Sequence, residues 1–163
     1  MTTPELMALF EPVAAREGAR ICAVRIGGSP RNPLIQVFAD LERGYISIAA
    51  CAALCRDFRD LLDMTYGDLP DYRLIVSSPG LDFELSELWQ FRKNVDKWLR
   101  RTDAQGTVEG RIAAVTDDGE IIISNAAGES RHTLSALAGA KIILEPRPER
   151  KTGRKRHDKT RNR

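Results

Sequence analysis

Apolar residues change period part-way along the chain. Leu6, Leu9, Phe10 and Val13 recur at i, i+3, i+4 and i+7, which is one face of a helix. Thr3-Pro4 predicts its start, a capping hydroxyl before a proline in the first turn. Pro12 removes an N–H and predicts a kink, and Gly18 predicts the stop. From Arg20 to Ile26 the pattern alternates, with Cys22, Val24 and Ile26 on one side of a half-buried strand. Turn residues fill Gly27 to Pro33, and a second strand over Leu34 to Ala39 completes a hairpin with a long loop. Helical spacing returns from Ser47, where Cys51, Leu54, Cys55, Phe58, Leu61 and Leu62 form a stripe. Tyr72 to Ser77 alternates again, with Tyr72, Leu74 and Val76 on one face, and Ser77-Ser78-Pro79-Gly80 ends it.

The first half therefore predicts an α-β-β-α-β order, an α+β domain of two layers. The second half reads differently. Ser86 to Asn94 predicts a short helix carrying Trp89 and Phe91. Five short strands are expected after it, over 95–101, 106–115, 120–124, 131–134 and 141–144, with a helical turn at 135–139. Five closely spaced strands suggest a small barrel. The expected divisions are residues 1–84, 85–146 and a disordered tail over 147–163.

Charge separates the tail from the rest. From Arg147 to Arg163, nine Lys and Arg stand against two acids, a net of +7; with the whole chain at +2, residues 1–146 carry −5. A basic tail of this kind suits either nucleic acid or a solubilising end. On the first reading Arg150, Lys151, Arg154, Lys155 and Arg156 would meet nucleic-acid phosphates. Met1 to Glu11 has two acids and no base, unlike a signal or transit peptide, so a cytoplasmic protein is expected.

Candidate chemistry is sparse. His132 falls in a predicted strand and His157 in the tail, and neither joins a nucleophile. Cys22, Cys51 and Cys55 all fall on predicted core faces, where free cysteine acts as a small hydrophobe; an odd count also argues against a disulfide framework. Gly27-Gly28 has neither the spacing nor the lysine of a phosphate loop. No catalytic residue, metal or cofactor is expected. Asp117 and Asp118 sit at a predicted hairpin turn, either as a solvated loop or as a contact for a basic partner. Trp89, Phe91 and Trp98, near the junction of the halves, are expected to pack the short helix against the barrel, with base stacking as the alternative.

One run is more specific. Tyr72-Arg73-Leu74-Ile75-Val76-Ser77-Ser78-Pro79-Gly80-Leu81-Asp82 resembles the signature of the RimP family, in which a Val-Ser-Ser-Pro-Gly-Leu-Asp stretch joins two domains. The seven residues Val76, Ser77, Ser78, Pro79, Gly80, Leu81 and Asp82 match it in sequence. Glu11-Pro12-Val13, Gly18 and the helix ending Leu62-Asp63 agree, and the resemblance extends from Pro4 to about Glu145. Phe83-Glu84-Leu85 departs from the family's usual Arg-Pro-Leu.

The resemblance implies an N-terminal α/β domain, a C-terminal SH3-like (Sm-like) barrel and no known catalysis. It implies a monomer in late assembly of the small (30S) ribosomal subunit, linked to ribosomal protein S12 and 16S rRNA. Arg73 and Asp82, with the acidic turn, become candidate partner contacts. A rival reading is a general RNA-binding module; another is an enzyme built on a buried cysteine.

Overall fold

The computed structural model describes residues 1–67, 69 and 71–146. The elements are α1 (Thr3–Arg16), β1 (Ala19–Ser29), β2 (Asn32–Leu41), α2 (Ile48–Tyr66), β3 (Arg73–Ser77), β4 (Glu84–Leu85), α3 (Leu88–Lys93), β5 (Trp98–Asp103), β6 (Gly106–Val115), β7 (Ile121–Asn125), β8 (Gly128–His132), α4 (Leu134–Leu137) and β9 (Ala140–Ile143). They form an α+β structure with two sheets. The tail residues Arg150, Lys151, Arg154, Lys155 and Arg156 lie outside the described residues.

The first sheet has the order β1-β2-β3, with β1 antiparallel and β3 parallel to the central β2. A parallel pair needs a crossover, and α2 supplies it. Both long helices cover one face. Leu6, Phe10 and Ala14 from α1 meet Leu54, Phe58 and Leu62 from α2 over Ile35, Val37 and Ala39. Phe10 and Phe58 stack with their ring centroids 4.3 Å apart at the centre of this core. α1 starts one residue earlier than its sequence predicts. Thr2 is the cap, and Thr2 and Glu5 bond to each other's backbone in a capping box. The helix runs unbroken through Pro12.

The expected long loop over 27–33 is instead mostly ladder. Gly28 pairs with Pro33 and Ser29 with Asn32, leaving Pro30 and Arg31 as a two-residue turn. Gly28 permits this: at φ +78° a Cβ there would stand 2.5 Å from the Asn32 carbonyl oxygen. A bulge between Ile21 and Ala23 also corrects the predicted face of β1. The extra residue flips the alternation. Ile21 and Val24 therefore enter the helical core, while Cys22 is buried outside that cluster, at the junction with the second half.

The second sheet is antiparallel, in the order β4-β9-β5-β6-β7-β8. Its core gathers Phe91 from α3, Leu137 from α4, and Leu99, Ile112, Ile121 and Ile123 from the strands. The expected barrel is not closed: β4 and β8, the two edges, do not pair with each other. Their composition explains why. β4 is two residues long, and β8 reads Gly-Glu-Ser-Arg-His, with no apolar side chain to fold inward. β5 begins at Trp98, not at 95, because Asp96 takes φ 72° and breaks the extended run. β8 ends before Thr133, whose hydroxyl caps α4 by accepting from the Ala136 N–H.

Candidate functional site

α3 lies against the face of the first sheet that α1 and α2 leave uncovered. Alternation along β2 points Ile35, Val37 and Ala39 to the helices and Phe38 and Asp40 to the other side. There Asp40 meets Lys93 of α3 in an ion pair whose side chains are only 13% and 8% exposed. The Lys93 ammonium also donates to the Leu41 carbonyl at 2.9 Å and sits 5.4 Å from the centre of the Tyr45 ring. Lys97 lies 5.3 Å from the same ring and donates to the Tyr45 hydroxyl at 3.3 Å. A single aromatic side chain of the first half is thus gripped by two cations of the second.

Gln90 stiffens α3 from within. Its side chain is buried, and its Oε1 accepts the Ser86 and Glu87 N–H groups at 2.7 and 2.9 Å. Cys22 packs at this point. Burial lifts its thiol from 9.0 to about 11, against the opposing hydrogen bond from Gln90. Burial also raises the Cys51 thiol, with the Asp40 charge adding to the rise and the Ser78 backbone opposing it. Both are held as neutral thiols. Among the described residues no group of three His, Cys, Asp or Glu side chains is gathered as a metal site.

These elements enclose a cavity of about 290 Å³ between the two sheets. Its walls include Cys22, Asp40 and Lys93, and its lip is Ser78, Pro79, Gly80 and Leu81. The signature run therefore crosses from one sheet to the other beside the junction. Val76 and Ser77 end β3 and are half-buried; Ser78, Gly80, Leu81 and Asp82 are exposed. Pro79 cannot donate to a ladder, which suits a segment leaving one sheet for another. The Phe83 N–H donates to the Gly80 carbonyl at 3.1 Å and closes a turn. Phe83, at the position that departs from the family pattern, packs against Phe38 with ring centroids 5.4 Å apart. The Arg25 guanidinium lies 5.0 Å from Phe38 and 5.9 Å from Phe83. A cation thus stands beside position 83, contributed by β1.

The other candidates are not brought to this cavity. Arg73 is exposed at the start of β3. Asp117 and Asp118 are exposed in the turn between β6 and β7. The Thr116 hydroxyl donates to Asp118 and holds its carboxyl below the usual range. Of the aromatics, Phe91 is buried in the second core. Trp89 donates to Glu87 at 3.0 Å and lies under Arg20 of the first sheet, so its contact is with the first half and not only with the second sheet. The Lys93–Asp40 pair, the firmest polar tie between the halves, escaped the sequence. Its trace in the sequence is a charged residue, Asp40, near the end of a strand whose only other polar residues are Asn32 and Gln36.

The Val76–Asp82 run leads from the first sheet to the second beside the cavity. Residues 9–82 match the family model described as the RimP N-terminal domain, so that stretch, through the end of the signature run, is such a domain. The match supports RimP family membership and points to ribosome maturation. No helix among the described residues is long and apolar enough to cross a membrane.

Proposed function

We propose that this protein is a non-enzymatic assembly factor that binds the immature 30S subunit during its maturation in the cytoplasm. The RimP match over residues 9–82 carries the reading. The divisions at residues 84 and 146 are part of the same proposal, with the Val76–Asp82 run holding the first two parts at a set angle.

An assembly factor must dock on a ribonucleoprotein particle and then leave. The −5 charge of residues 1–146 suits encounter with a basic ribosomal protein such as S12, because complementary charge speeds association more than it tightens the complex. Asp117 and Asp118, exposed on one turn, and Asp82 beside the junction are the acidic contacts this reading assigns. Arg73 and the +7 tail are assigned to 16S rRNA phosphates, where binding weakens as salt rises.

Sucrose-gradient fractionation of lysate tests the whole reading. Co-migration with free 30S particles and not with 70S ribosomes is expected. Protein found only at the top of the gradient, from fast-growing cells at low salt, overturns it in favour of a general RNA-binding module. Deleting residues 147–163 should weaken 30S binding and flatten its salt dependence; an unchanged slope removes the tail from the account.

A further inference from the structure

The first sheet has a second face, and α3 with Phe83 covers only the end of it around Asp40 and Phe38. Beyond Phe38 that face lies open. Its register places Arg25 beside Gln36 and Gln36 beside Ile75, and in the next row Leu34 beside Arg73. Arg25 and Arg73 are exposed, and Ile75 is 38% exposed although apolar. Arg31 stands at the tip of the β1–β2 turn, continuing the same edge. Among the described residues the ion pairs include none of these three arginines, whereas Arg20 pairs with Glu42 and Asp40 with Lys93. Asp71, two residues before Arg73, precedes the paired strand.

We propose that this open face is an RNA-contacting surface, centred on Arg25 and flanked by Arg31 and Arg73, that takes an unpaired rRNA segment. The inference rests on the ribosomal reading above and adds a place to it. Three features favour an RNA strand over an acidic peptide. The Arg25 guanidinium lies 5.0 Å from the Phe38 ring centre and 5.9 Å from that of Phe83, and an exposed guanidinium can stack on a base as well as pair with phosphate. Leu34, half-buried, and Ile75 supply apolar area between the charges against which the face of a base can pack. The charges are also spread. Arg25 and Arg73 stand two strands apart, roughly 10 Å across the sheet, which suits successive phosphates better than one carboxylate.

The test is titration of the ¹⁵N-labelled full chain with a mixed-sequence single-stranded RNA of about 12 nucleotides, within the usual span of such sites. Amide shifts are expected in residues 23–38 and 73–77. Shifts confined to residues 147–163 overturn the proposal. So does a response of 23–38 to polyglutamate and not to RNA, which would make the face a docking site for an acidic protein. In parallel, Arg25→Gln with Arg73→Gln should make the slope of log affinity against log salt shallower by about 1.4, near 0.7 for each phosphate no longer neutralised. Arg56→Gln with Arg59→Gln, on α2 across the sheet, should change it less. Equal slopes for the two pairs count against the face. These measurements use purified protein and RNA, so their failure leaves the gradient result standing, and the reverse holds too.

Discussion

The two sheets solve the same problem of burial with unequal means. Among the described residues, fifteen buried ones in the first, drawn mainly from two helices and three strands, form one cluster; the second gathers eight, with helices of six and four residues. The first core is wide enough to stack Phe10 on Phe58, while the second is a thin layer under an open sheet. Stability is therefore expected to be concentrated in the first half. The second half leans on it through α3 and the Lys93–Asp40 pair.

Truncation of the central aromatics breaks this comparison most directly. Phe58→Ala should cost about 4 kcal/mol, the range for deleting a buried ring, and should unfold both halves together in urea. Phe91→Ala should loosen the second sheet first. Hydrogen exchange would then rise in residues 98–143 before 19–41. Equal loss of protection in both sheets would show one cooperative unit instead of two unequal ones.

Lys93→Met tests the tie between the halves. It leaves Asp40 buried without a counter-charge and should cost about 3 kcal/mol. Asp40→Asn with Lys93→Met together should recover part of that loss. A double variant as unstable as the sum of the two single changes would mean that the pair is not coupled across the junction.

Cys22 sharpens the comparison by pH. Its thiol is neutral in the fold, with a pKa raised from 9.0 to about 11. The associated stability is fully present below pH 9. As pH rises from 9 to 11 the unfolded chain gains a thiolate that the folded chain does not, so stability falls, by roughly 2 kcal/mol. Cys22→Val should flatten that loss in alkaline denaturation curves. An unchanged curve would mean that the thiol reaches water at the junction.

The fold was legible where one face of an element is buried and the other wet. α1, α2 and β3 stand near their predicted places because Leu6, Phe10, Leu54, Phe58 and Leu74 mark one face each. Single-residue backbone events were not legible. The bulge at Ile21 turned Cys22 away from the helices, and Asp96 at positive φ delayed β5. Gly28 let a predicted loop continue as ladder, since Gly-Gly-Ser-Pro reads as turn chemistry whether the chain bends at once or two residues later. Strand number does not predict barrel closure, because it says nothing about edges, and Gly128 to His132 offers no apolar side to close upon. At the site, the Val76–Asp82 run was visible as a motif, but the Lys93–Asp40 pair joins residues far apart in the chain and has no local pattern. The approach of Arg25 to Phe38 and Phe83 is hidden for the same reason.

The open sheet has one more consequence, for the protein at high concentration. An unpaired strand is a template on which another chain can lay itself, and a long apolar one invites fibres. β8 is short, begins with a glycine at φ +120°, and turns Glu129 and Arg131 to solvent, with Arg131 held by Glu120 at 2.9 Å. It offers a visiting strand hydrogen bonds but almost no apolar area to hold it. The residues that keep this sheet from closing on itself are thus the same ones that keep it from joining its neighbours.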